Sequence, residues 1–171
     1  MRGSADPALR GAGILIRPHP RRFEEWQKVD LTEFKNVALF DSHPVDPSTK
    51  NDYFDSLYYA AAVVGLNTSA MLEAAVVGKP VLSVVLPEIS TDNQEGTIHF
   101  HYLLKAGGGL LILARSLEEH IGQLSATFED PRPGVERARR STEAFIRPQG
   151  LDRPSTPLFA TAIEGAAGRA A

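Results

Sequence analysis

Short apolar runs, separated by polar and turn-forming stretches, set the rhythm of the chain. The runs are Gly13 to Ile16, Asn36 to Phe40, Ala60 to Val64, Val81 to Leu86 and Leu110 to Leu113. Most are continuously apolar rather than alternating, the pattern of strands covered on both faces. Between them, apolar positions recur at helical spacing. Arg21 to Val29 places Phe23, Trp26 and Val29 on one side, and Tyr53 to Tyr59 does the same with Phe54, Leu57 and Tyr58. Thr97 to Leu104 reads as a helix stopped by Gly107-Gly108-Gly109. Ser116 caps Leu117 to Phe128, with Glu118 and Glu119 in the first turn, where the helix dipole favours acids. Asp41 to Asp52 and Pro87 to Gly96 read as polar loops, and Asp130 to Gly134 as a break. Val135 to Ile146 reads as a polar helix, 148–157 as a linker, and Leu158 to Ala167 as a last small helix with a frayed tail. Strands alternating with helices predict an α/β fold: a doubly wound parallel sheet of about five strands flanked by helices, with the C-terminal helices packing back.

One stretch organises this pattern. Gly65-Leu66-Asn67-Thr68-Ser69 follows one apolar run, and Gly78-Lys79-Pro80 precedes the next. Thr68 or Ser69 is placed to cap a helix over Ala70 to Val77, which Gly78 ends with Pro80 just beyond. The strand–turn–helix–strand unit is about the minimum length for a right-handed parallel crossover. Its small polar turn puts hydroxyls and free backbone N–H groups at the carboxyl end of a strand, where open α/β sheets bind phosphate. Glu73 lies one turn beyond Ser69 on the same face, placed to accept hydrogen bonds from groups attached to that phosphate, such as ribose hydroxyls. The bland alternative is a plain helix cap and a solvated glutamate.

A second strand end carries polar groups. Ile14 to Ile16 runs into Arg17-Pro18-His19-Pro20, and the two prolines forbid further ladder pairing. If the ends of both strands face one crevice, a guanidinium, an imidazole and hydroxyls converge, a set suited to a phosphate or diphosphate.

Composition narrows the classes. The 171 residues suffice for one domain with its own core, and 43% apolar with 23% charged residues is ordinary for a soluble globular chain. Net charge is −3 with basic residues scattered, so nothing calls for a nucleic-acid partner. The absence of cysteine excludes disulfides and thiolate metal sites. No apolar stretch approaches the roughly 20 residues of a membrane span. Met1 to Gly13 lacks the apolar segment of a signal peptide, so a cytoplasmic location is expected by default. Residues 1–12 are expected to be an irregular start, or the cut edge of something longer.

Arg17-Pro18-His19-Pro20, then Asp55-Ser56-Leu57, then Gly65 through Ala74 and Gly78-Lys79-Pro80 resemble the C-terminal, donor-binding half of a GT-B fold glycosyltransferase. The similarity is greatest to the capsule polysaccharide, sialic-acid and CDP-glycerol transferase branches, and it covers roughly residues 14–124. It implies a single Rossmann-like nucleotide-donor-binding domain over residues 1–171. His19 would contact the donor phosphate or nucleotide, and Arg17 matches the basic residue that often precedes the His-Pro pair. Thr68 and Ser69, with Asn67 beside them, would bind phosphate at the helix start. Glu73 would hold the ribose, and His99 would lie near the sugar. The partner implied is a nucleotide-activated sugar donor in surface or capsular polysaccharide biosynthesis. The resemblance also implies an N-terminal acceptor domain that this chain does not show. The catalytic base usually comes from that half, so none is assigned here and the chain alone is expected to be inert.

No metal or cofactor is expected. His99 and His101, two residues apart, face different sides of a helix, no Asp-x-Asp stretch occurs, and Asp92 with Glu95 is a possible acid pair in a polar loop. His43 and His120 read as surface residues. The Gly107 to Gly109 run lacks the strand-then-helix context of a dinucleotide fingerprint. Two other functions share these features: a UDP-sugar 2-epimerase-like domain, and a non-catalytic domain that holds a nucleotide or a partner.

Overall fold

The computed structural model describes residues 6–40, 44–86 and 94–168. Strands β1 (Ile14–Ile16), β2 (Val37–Leu39), β3 (Val63–Val64), β4 (Val81–Val84) and β5 (Ile112–Ala114) are all parallel. Among the described residues eight α-helices accompany them: α1 (Pro7–Gly11), α2 (Phe23–Trp26), α3 (Pro47–Tyr58), α4 (Ala70–Val76), α5 (Ile98–Lys105), α6 (Leu117–Glu129), α7 (Arg132–Ser141) and α8 (Ser155–Ala167). A π-helical turn, Thr142–Ile146, extends α7. The architecture is mixed α/β, with parallel sheets flanked by helices.

The single sheet expected from the alternation is not what the ladders form. β1 pairs with β2, and β3, β4 and β5 pair in that order as a separate sheet. α3 also differs from expectation, at its start. Asp46 caps it by accepting from the Thr49 amide at 2.9 Å, the Thr49 hydroxyl accepts from the Asp46 amide at 3.1 Å, and Pro47 takes the first turn, where its missing N–H costs nothing. The helix therefore starts inside the stretch expected to be a loop. It still occupies residues up to Tyr58, with the Tyr59 and Ala60 amides bonded back into its last turn. Of the apolar run Ala60 to Val64, only Val63–Val64 forms a strand, and it pairs with β4.

The three-stranded sheet is covered on both faces, and β4 shows it residue by residue. Alternate side chains leave a strand on opposite sides. Leu82 packs with Leu9 of α1 and Leu124 of α6. Val81 and Val85 join the larger core of Met71, Ala74 and Ala75 from α4, Phe100 and Leu103 from α5, and Ala138 from α7. Gly134 of α7 is needed for this packing: a Cβ there would lie 2.7 Å from the Pro80 Cβ. The β1–β2 sheet is thinner, and its central Leu15 is 45% exposed.

Several boundaries move from those expected. The irregular start contains α1, capped by Asp6 on the Ala8 amide at 2.8 Å, which buries Leu9 completely. α7 begins inside the expected break, with Pro133 in its first turn. α8 begins within the expected linker, and all its residues are exposed. His120, expected at the surface, is 8% exposed on the inner side of α6, and burial lowers its pKa below the usual imidazole range. His43 and Asp92 lie outside the described residues.

Candidate functional site

Arg17 is the first residue after β1, and Phe40 the first after β2. Parallel pairing brings both to the same end of the sheet. Arg17 turns toward α3. Its Nη1 donates to the Ser56 hydroxyl at 2.6 Å and to the Tyr53 carbonyl at 3.5 Å. The guanidinium carbon sits 4.6 Å from the Phe40 ring centroid and 4.0 Å from that of Tyr53, within cation–π range of both. Ser56 donates to the Tyr53 carbonyl at 2.6 Å, closing a small ring of contacts.

Tyr53 connects this group to the next unit. Its phenol donates to Glu73 Oε2 on α4. Two residues expected to share a site, Arg17 and Glu73, are thus joined through Tyr53, whose local sequence marks it only as a helix residue. Burial, and then the hydrogen bond to the Glu73 carboxylate, push the Tyr53 phenol well above its ordinary range. It is a donor at any physiological pH. Burial also lowers the pKa of Arg17, opposed by the charges of Tyr53 and Glu73, yet a guanidinium remains protonated.

The turn before α4 is held by a different network. Gln94, 8% exposed, donates from Nε2 to the carbonyls of Leu66 at 3.0 Å and Val84 at 3.1 Å, tying the ends of β3 and β4 together. Asn67 donates to the Thr97 hydroxyl at 3.3 Å, and that hydroxyl donates to the Gln94 carbonyl at 2.7 Å. Asn67 is therefore a bracing residue as well as a candidate ligand group. Gln94 sits in a stretch read only as polar loop, with no sequence signal beyond its amide.

Thr68 and Ser69 are exposed at the α4 start. Ser69 already has helical backbone angles, and its hydroxyl caps no amide. Thr68 makes the local contact instead, accepting from the Ala70 amide at 3.5 Å. The Glu73 amide bonds to the Ser69 carbonyl at 3.2 Å, so the two side chains lie one turn apart, as expected. His19 is exposed, and its Nδ1 accepts from the Arg21 amide at 3.2 Å, initiating the turn Pro20–Arg22. In the neutral ring this leaves the proton on Nε2. Among the described residues His19 makes no hydrogen bond to the Arg17–Tyr53–Glu73 group.

His99 is exposed on α5 and joins none of these networks. Glu95 is engaged by Arg115 through its two terminal guanidinium nitrogens at 2.6 and 3.2 Å, and that contact lowers its pKa. A cavity of about 490 Å³ lies along α5, lined by Ile98, His101, Tyr102, Lys105 and Ala106, and none of the expected site residues lines it. Among the described residues no group of three or more His, Asp or Glu gathers in metal-binding geometry. No helix among them is long and apolar enough to cross a membrane.

The arrangement can do two things chemically. It presents a carboxylate oriented by a phenol, suited to hydroxyl donors. Beside it stands an exposed turn whose serine hydroxyl is not spent on the helix. No family profile, curated protein or solved structure matches this chain.

Proposed function

We propose that this chain binds a nucleotide-activated sugar, acting as the donor half of a GT-B type glycosyltransferase in surface or capsular polysaccharide biosynthesis. The reading treats the two sheets as halves of one doubly wound, cytoplasmic nucleotide-binding domain. The observation that carries it is the Arg17–Tyr53–Glu73 cluster, which links the end of β1 to the helix that follows β3. Glu73 would accept from the ribose hydroxyls. Ser69, one turn earlier, would reach the adjoining phosphate, with Thr68 and the amides of the turn beside it. His19, with Nε2 as a donor, would hydrogen-bond where the leaving diphosphate gathers charge.

Transfer would then be a displacement at the anomeric carbon, with the chain's contribution being stabilisation of the departing nucleotide. Titration of the chain with UDP and CDP by calorimetry tests the reading. Saturable binding that His19→Ala and Ser69→Ala both weaken, with the fold unchanged by circular dichroism, is the expected result. Heat no greater than that of buffer dilution, for both nucleotides, would overturn it.

A further inference from the structure

Arg17 is the natural candidate for a phosphate ligand, but its surroundings fit another task. Its Nη1 is occupied by the Ser56 hydroxyl and the Tyr53 carbonyl. Its flat face lies over two aromatic rings. Its Nε is closed to solvent and has no hydrogen-bond partner. The side-on edge with which a guanidinium grips an oxyanion through two parallel bonds is therefore shut to a ligand. What Arg17 does hold is Tyr53, by the ring and by the carbonyl.

Tyr53 in turn fixes Glu73. An exposed glutamate has three free torsions, and on a bare helix surface its carboxylate samples many positions. Here the phenol takes Oε2 and selects one of them. A carboxylate has about four lone-pair sites, so one phenol leaves Oε1 and more for a ligand. Among the described residues no other donor reaches Glu73. The result is a relay: Ser56 and Phe40 place Arg17, Arg17 places Tyr53, and Tyr53 places the carboxylate.

We propose that Tyr53 is the positioning residue that presets Glu73 for the vicinal hydroxyls of a ribose, and that Arg17 acts through Tyr53 rather than on the phosphates. The inference rests on the nucleotide reading above and specifies which part of the ligand the cluster recognises. It makes the site selective for ribose over 2′-deoxyribose. A preset acceptor loses a partner when the hydroxyl is missing, while a floating one has little to lose.

The test is calorimetry on the full chain with UDP, CDP, their 2′-deoxy counterparts, uridine and cytidine. The wild type should prefer the ribonucleotide by about tenfold, the equivalent of roughly 1.4 kcal/mol. Tyr53→Phe keeps the ring and its contact with Arg17 and deletes only the hydroxyl. It should remove most of that preference by weakening the ribonucleotide while leaving the deoxynucleotide unchanged. Arg17→Lys keeps the charge and loses the planar contact. It should weaken nucleoside and nucleoside diphosphate by the same factor. A Tyr53→Phe variant that keeps the wild-type ribose preference overturns the positioning role while leaving the nucleotide reading intact. A loss on Arg17→Lys confined to the diphosphates returns Arg17 to phosphate binding and overturns the relay. Wild-type protein that binds none of the six ligands overturns the inference together with the reading it rests on.

Discussion

Ser69 and Ser116 both stand immediately before a helix, and only one of them helps to build it. Ser116 has extended backbone angles, and its hydroxyl accepts from the Glu119 amide at 3.1 Å. Glu119 in turn accepts from the Arg115 amide at 2.6 Å, which ties down the residue before the cap, while Ser116 satisfies one of the orphan donors at the α6 start. Ser69 is already helical, caps nothing, and leads into a helix of only seven residues. α6 carries its own start signal and a buried inner face. α4 is held from outside, by its core residues Met71, Ala74 and Ala75 and by the Gln94 and Asn67 brackets on the turn before it. Identical residue types thus serve a helix in one place and stay available in the other. Sequence shows the serine, and only the backbone angles show whether its hydroxyl is spent.

The largest effect expected on the structural side is Leu124→Ala on α6. Leu124 packs with Leu9 and Leu82, and the substitution should cost about 2–5 kcal/mol of unfolding free energy in urea titrations. Nucleotide affinity, measured where the variant is still folded, should hardly change. A smaller and sharper contrast comes from the two serines. Ser116→Ala should cost about 1 kcal/mol of stability, the usual loss for a helix cap. Ser69→Ala should stay within about 0.5 kcal/mol of wild type in the same titration. Equal losses at both sites would erase the distinction between them.

The smallest effect is in pH. Burial favours neutral His120 in the folded chain, so its folded pKa lies below the usual 6.5. On acidification through that value the unfolded chain takes up a proton before the folded one does. The stability held by His120 is therefore complete above about pH 6.5, and it falls as the pH drops toward the folded pKa. His120→Gln should flatten this part of the stability–pH curve. An unchanged slope would mean that carboxylates alone set it.

The sequence made the strands and the α4 unit legible because their signals are local. Continuous apolar runs, a Gly78 stop and a following Pro80 need no tertiary context. What escaped depended on partners far along the chain. Tyr53 read as one aromatic among several on α3, since nothing local reveals that its hydroxyl reaches Glu73, twenty residues on. The start of α3 was readable in principle. Asp46-Pro47-Ser48-Thr49 contains a cap, a helix-opening proline and a reciprocal hydroxyl, but the proline density around it reads as loop. The division into two sheets has no local signal, because strand pairing is decided between residues far apart in the chain. Arg17 was legible as a strand-end cation. Its rings and its closed Nε were not, because both come from other elements.

The measurement that bears most directly on the account is calorimetric titration of UDP and CDP into wild-type and Glu73→Ala protein, with thermal unfolding recorded in parallel. Glu73 is an exposed side chain on α4, so its removal should leave the fold intact and lower the unfolding midpoint only by what the lost Tyr53 hydrogen bond contributes. It should weaken nucleotide binding by about 1–3 kcal/mol, the range for losing hydrogen bonds to a charged group. Nucleotide binding of equal strength in the two proteins would contradict the account and leave Glu73 as a solvated helix residue.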